Sequence, residues 1–166
     1  MPLLIAVTGD THHGDKTRNL PSLLFHHLVE RNPDLILHTG DVTSHELLER
    51  LEDFAPVIAV RGNADHLNLP EERTIDAEDI VIGLIHGHQF FSLNAQFLTL
   101  KALDMGVDVL IFGHTHRFYH DTYSVHGERV VLLNPGSPTF PRMDSAGFVL
   151  LKVNGESVGV ERIRFW

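Results

Sequence analysis

Residues 108–116 read DVLIFGHTH: an apolar run from Val109 to Phe112, a glycine, then two histidines on either side of Thr115. The run is too short for a buried helix and is rich in β-branched residues, so it reads as a strand. Had that strand continued, His114 and His116 would share one face. Gly113 instead ends it and allows backbone to approach closely at that point.

The same pattern recurs upstream. Leu3 to Val7 (LLIAV) leads into Gly9-Asp10-Thr11-His12, and Leu35 to His38 (LILH) into Gly40-Asp41. Val57 to Val60 (VIAV) leads into Gly62-Asn63, and Ile80 to Ile85 (IVIGLI) into His86-Gly87-His88. A sixth run, Val130 to Leu133 (VVLL), precedes Asn134-Pro135-Gly136-Ser137. Between several of these lie helical segments. Pro21 to Arg31 has Leu24 and Leu28 at helical spacing, and Thr43 to Asp53 opens on the capping-box pattern Thr43-Ser44-His45-Glu46. Phe97 to Met105 closes on Gly106. Strands alternating with helices give an α/β layered core. At the end, Phe148 to Val153 and Val158 to Phe165 flank Asn154-Gly155, which predicts a C-terminal β-hairpin.

Composition narrows the class. At 166 residues the chain suits a single domain, 1–166, with one core. Its 43% hydrophobic and 21% charged residues are those of an ordinary globular protein. No apolar stretch approaches a membrane span, and MPLLIAVTGD lacks the basic region and cleavage site of a signal peptide, so a cytoplasmic location and no membrane partner are expected. A formal charge of −9 argues against an extended nucleic-acid surface. With no cysteine, any metal must be held by nitrogen and oxygen.

In α/β sheets the carboxyl ends of the strands are where sites are built. Asp10, His12, Asp41, Asn63, His86, His114 and His116 would therefore converge on one rim. A lone Gly-Asp or Gly-Asn after a strand is usually a turn, and a lone His-Gly-His usually a polar loop. Five turns have no shared reason to choose metal-ligand residue types. Seven donors exceed one tetrahedral site with an open position and suit two ions bridged by a carboxylate. His26, His27, His45, His120 and His126 are read as structural or solvated.

In this order, DTH, GD, GNAD, HGH, GHTH and NPGS resemble the motifs of the calcineurin-like metallophosphoesterases, most closely their small single-domain phosphodiesterase branch, over Leu4 to about Phe165. The resemblance implies a four-layer α/β/β/α sandwich and a dinuclear centre of two divalent ions. Asp10, His12 and His116 would hold one ion and Asn63, His86 and His114 the other, with Asp41 bridging. Manganese is expected first, with nickel, iron, cobalt or zinc as alternatives. Such a pair, ~3.5–4 Å apart, presents a bridging hydroxide for in-line attack on the phosphorus of a small phosphoester. The residues expected to carry the reaction are Asp41, Asn63 and His114, with Asp65 and His88 orienting ligands and Arg142 a candidate phosphate contact. Many relatives place a histidine after the Asn of GN as general acid; here that position is Ala64, leaving His13 or His88 as substitutes. A second reading, from the similar fold of the retromer's scaffold subunit, is a protein-binding module without turnover. A homo-oligomer is open on either reading.

Overall fold

The computed structural model describes residues 2–17, 19 and 21–166. Thirteen elements follow in chain order: β1 (Leu3–Thr8), α1 (Ser22–Arg31), β2 (Leu35–His38), α2 (His45–Glu52), β3 (Val57–Ala59), β4 (Glu72–Ala77), β5 (Ile80–Ile85), α3 (Ala95–Met105), β6 (Val109–Ile111), β7 (Phe118–Val125), β8 (Glu128–Pro135), β9 (Gly147–Asn154) and β10 (Ser157–Arg164). They form two five-stranded sheets, ordered β10-β9-β1-β2-β3 and β4-β5-β6-β8-β7.

The parallel pairs β1/β2, β2/β3 and β5/β6 are each joined through a helix, as parallel neighbours require. Because successive side chains on a strand alternate faces, each apolar run serves two interfaces. Ile5, Val7, Leu37, Val149 and Leu151 of the first sheet meet Ile82, Leu84, Val109, Ile111 and Leu133 of the second. The opposite faces are covered by helices: Ala6, Ile36, Phe148 and Leu150 pack with Leu24, Leu28, Leu47 and Leu51 of α1 and α2. Leu110, Val130 and Leu132 pack with Leu98 and Ala102 of α3. The layers thus run helices, sheet, sheet, helix, as expected. Burial on both faces explains why the strands read as unbroken apolar runs. Each large aliphatic side chain so buried contributes about 1.5–3 kcal/mol.

Three local expectations change. The cap of α2 is Ser44, whose hydroxyl accepts from the Leu47 N–H at 3.4 Å, and not Thr43. Thr43 lies at φ +63°, with its N–H on the Asp65 carboxylate and its hydroxyl on the His13 carbonyl. The C-terminal hairpin turns on Gly155-Glu156, since Asn154 and Ser157 are already paired. Strand β4, ERTIDA, was outside the predicted elements because it is an edge strand, mostly solvent-facing and polar. Among the described residues, no helix is long and apolar enough to cross a membrane.

Candidate metal centre

The loops that follow β1, β2, β3, β5 and β6 meet along one rim, between the carboxyl ends of the two sheets. Two donor groups form there. In one, ligand atoms of Asp10, His12, Asp41 and His116 all lie within 4.8 Å of one another; in the other, those of Asp41, His86 and His114 do. Asp41 belongs to both. Asn63 joins the second through Oδ1, 3.1 Å from His86 Nε2.

Backbone conformation at this rim is unusual. Asp10, His12, Asp41, His114 and His116 all have positive φ, between +45° and +73°. Non-glycine residues seldom adopt it, at a cost of order 1–3 kcal/mol each, and such residues cluster where function over-determines the backbone. Because His114 and His116 both take this conformation, each imidazole falls into a different donor group. The glycines are also required: a methyl group on Gly62 would fall onto the Asp41 carboxylate, and one on Gly113 onto the Thr39 hydroxyl.

The hydrogen bonds of three histidines determine what they present to the centre. The ring Nδ1 of His86 lies 2.8 Å from the Thr39 carbonyl and that of His116 2.7 Å from the Phe140 carbonyl. A carbonyl only accepts, so both Nδ1 atoms carry the proton and donate. In His12, Nδ1 donates to the Asp15 carboxylate at 3.0 Å. Each Nε2 is then left to face oxygen: His12 and His86 both sit 3.3 Å from Asp41 Oδ2, and His116 lies 3.6 Å from Asp10 Oδ1. Without a second proton, lone pairs would oppose lone pairs. The buried Asp10 Oδ1 lacks a hydrogen-bond partner in the protein, and His12 Nε2 has none apart from its long contact to Asp41.

Electrostatics follow from this crowding. Burial, with the neighbouring Asp41 adding to it, pushes the Asp10 carboxyl up to about 7 against the pull of His86 and His12. Burial would raise Asp41 too, but hydrogen bonds from His12 and His86 and the His86 charge hold it far below the carboxylate range. For His12 and His86, burial disfavours the cation, yet the Asp41 carboxylate, joined by Asp15 at His12 and by Asp10 at His86, outweighs it and both are raised. Burial takes His116 down to about 4 despite its bond to Phe140. A divalent cation would replace those competing protons with one charge shared by carboxylates and imidazoles, which is what oriented Nε2 lone pairs and an orphaned buried carboxylate oxygen fit.

The outer residues now acquire definite contacts. Asp65 accepts three backbone N–H bonds, from Asp41 and Gly62 at 2.8 Å and Thr43 at 2.7 Å, and so ties the loop after β2 to that after β3. The His88 ring lies 5.3 Å from the His86 ring, tilted by 52°, with Nδ1 buried. His13 points to Glu46, at 3.9 Å. The Asn134 amide donates to the Gly113 carbonyl and Thr115 hydroxyl, and Ser137 donates to the Asp10 carbonyl, so NPGS pins both histidine-bearing loops. Asp15 was not anticipated; a carboxylate three residues after His12 was the available signal. His26 and His45 pair with Glu30 and Glu49 on helix surfaces, His27 stacks on Phe165, and His120 is exposed on β7, so none joins the centre.

The sequence profile of the calcineurin-like phosphoesterase superfamily domain matches residues 3–156. A protein of Methanocaldococcus jannaschii named "Probable metallophosphoesterase" is 44% identical over 152 residues, covering 91% of this chain and 76% of that one. A protein of the same description from Methanothermobacter thermautotrophicus is 40% identical over 166 residues, covering 98% of this chain and 92% of the other. Among solved structures, Vps29 of Entamoeba histolytica complexed with Zn²⁺ superposes with a TM-score of 0.81 at 29% identity, covering 99% of this chain and 100% of that chain.

Proposed function

The chain belongs to the calcineurin-like phosphoesterase superfamily, and from that premise we propose that it is a dinuclear-metal-dependent phosphodiesterase of the cytoplasm, with residues 1–166 acting as one domain. The observation that carries the reading is the pair of donor groups sharing Asp41. Asp10, His12 and His116 would hold one divalent ion, Asn63, His86 and His114 the other, and Asp41 both. When bound, such a pair supplies hydroxide from water near neutral pH for in-line attack on phosphorus and neutralises charge on the phosphoryl oxygens. The protein's residues do the rest. Asp41 sets the spacing, Asp65 fixes the loop that carries it, and the Nδ1 bonds to Asp15, Thr39 and Phe140 hold three imidazoles in the ligating tautomer. Neutral imidazoles leave net positive charge for an anionic ester, and the exposed Arg142, whose N–H donates to the His116 carbonyl, stands beside it as a phosphate contact.

The test is metal analysis of purified protein joined to a screen of phosphomonoesters, phosphodiesters and cyclic nucleotides. About two ions per chain with diester turnover is expected, with manganese the first metal to try. A second reading, a protein-binding scaffold, is favoured by the likeness to Vps29. Bound metal with no turnover of any ester would select it.

A further inference from the structure

Resting on the phosphodiesterase reading above, the geometry points to Phe140 and Met143 as the platform that selects esters carrying a planar aromatic group, with Lys16 and Arg142 flanking the phosphate. The segment after β8 is fastened to the centre at several points. Thr139 Oγ1 donates to the Thr11 carbonyl at 2.7 Å, the Phe140 N–H donates to Ser137 Oγ at 2.8 Å, the Phe140 carbonyl accepts from His116, and the Arg142 N–H donates to the His116 carbonyl at 3.2 Å. Side chains on this segment are therefore held in register with the candidate ligands themselves.

What the segment presents is apolar and open. The Phe140 ring lies 5.9 Å from the His116 ring, edge-on, and 6.4 Å from that of His12, yet 38% of the residue remains accessible. Met143 is 92% exposed, at φ +49°, a left-handed conformation that a flexible, unbranched residue has no local reason to adopt. Large apolar side chains on a surface are ordinary when scattered; here Phe140 stands beside a polar centre and Met143 follows three residues later on the same fastened segment. A methionine surface adapts to varied flat ligands, and an aromatic face stacks on any planar ring. Cations complete the arrangement: Lys16 Nζ lies 5.3 Å from the Phe140 ring centroid, and Arg142 is exposed between the two apolar residues. In a chain of net charge −9, positive charge at this spot suits the phosphate of an ester whose aromatic substituent rests on the ring. An exposed lysine over an aromatic face is held weakly, so the incoming ring can displace it.

Phenylphosphonate and methylphosphonate share one anionic head and differ only in the ring, so their dissociation constants for the metal-loaded protein, measured by calorimetry, isolate the platform from turnover. Wild type should bind phenylphosphonate about 5–150-fold more tightly, the range of one ring stacked on an aromatic side chain. Phe140→Leu should erase that preference and leave methylphosphonate binding unchanged, Phe140→Trp should retain it, and Met143→Ala should reduce it in part. Equal affinities in wild type, or a preference that survives Phe140→Leu, would overturn the inference while leaving the phosphodiesterase reading intact. An equal loss for both ligands in Phe140→Leu, accompanied by lost metal, would make Phe140 a shield for the histidines and also overturn it. If the ring preference is found but no ester is turned over, the phosphodiesterase reading fails and the platform stands.

Discussion

At the scale of single residues, Asp41 is the atom source common to both donor groups, so its charge has no substitute. Asp41→Asn should nearly abolish ester hydrolysis and lower metal content, whereas His120→Ala, an exposed position on β7, should leave both close to wild type; kcat/KM and metal analysis of the two variants decide it. Asp15 acts one bond further out, through His12 Nδ1. Removing such a partner typically weakens metal binding about 10–100-fold, so Asp15→Ala should raise the metal dissociation constant by that factor. Asp15→Asn should lose less, because the amide oxygen still accepts from Nδ1. Ala64 stands where acid-bearing relatives have histidine, and its N–H donates to Asp41 Oδ1 at 2.8 Å, a backbone bond any residue can keep. Wild type should therefore depend steeply on leaving-group pKa and cleave aryl diesters far better than alkyl ones. Since positioned proton transfer contributes ~10²–10⁴-fold, Ala64→His should raise rates selectively on the poorer leaving groups. A wild-type profile already flat over an aryl-to-alkyl series would point instead to a resident acid.

At the scale of elements, the end of β2 shows how a strand terminus is made to support chemistry. His38 is fully buried there; its Nδ1 accepts from the Gly40 N–H at 3.0 Å, which leaves the proton on Nε2, bonded to Thr11 Oγ1 at 3.0 Å. The ring thereby joins the loop after β2 to the loop after β1. Burial first, and then the nearby His86 charge, hold His38 down to about 3, so it is neutral in the folded protein. The sign follows from a folded value below the unfolded one of 6.5: its contribution is full above about pH 6.5 and is lost as pH falls towards 3. At pH 5 His38 should cost the fold about 2 kcal/mol, and its imidazole shifts should stay those of the neutral tautomer, which nuclear magnetic resonance can follow residue by residue. A His38 resonance that titrates with a midpoint near 6.5 in folded protein would contradict this.

At the scale of the whole molecule, two sheets share one core and lend their loops to one rim, so a cation bound there ties the halves together. Ligand that binds only the folded state adds ~2.7 kcal/mol at 100 times its dissociation constant, which for a chain of this size raises Tm by roughly 5–10 °C. Stripping divalent metal with a chelator should lower Tm by that amount, and manganese should restore it; a scan indifferent to both would remove metal from the account. Much of this molecule was legible in the chain. Runs such as IVIGLI and LILH became strands within their predicted bounds, because a short unbroken apolar run with β-branched residues is a signal carried by neighbouring residues alone. The glycine and donor after each strand marked the rim for the same reason. Edge strand β4 escaped because solvent-facing residues carry no apolar signal. Only the tertiary structure decided which atoms face inward: His86 Nδ1 is committed by a carbonyl 47 residues away and His116 Nδ1 by one 24 residues away. Tautomer and lone-pair direction depend on partners brought near by packing the two sheets, for His86, and by pairing β6 with β8, for His116, and no local pattern around either histidine contains that information.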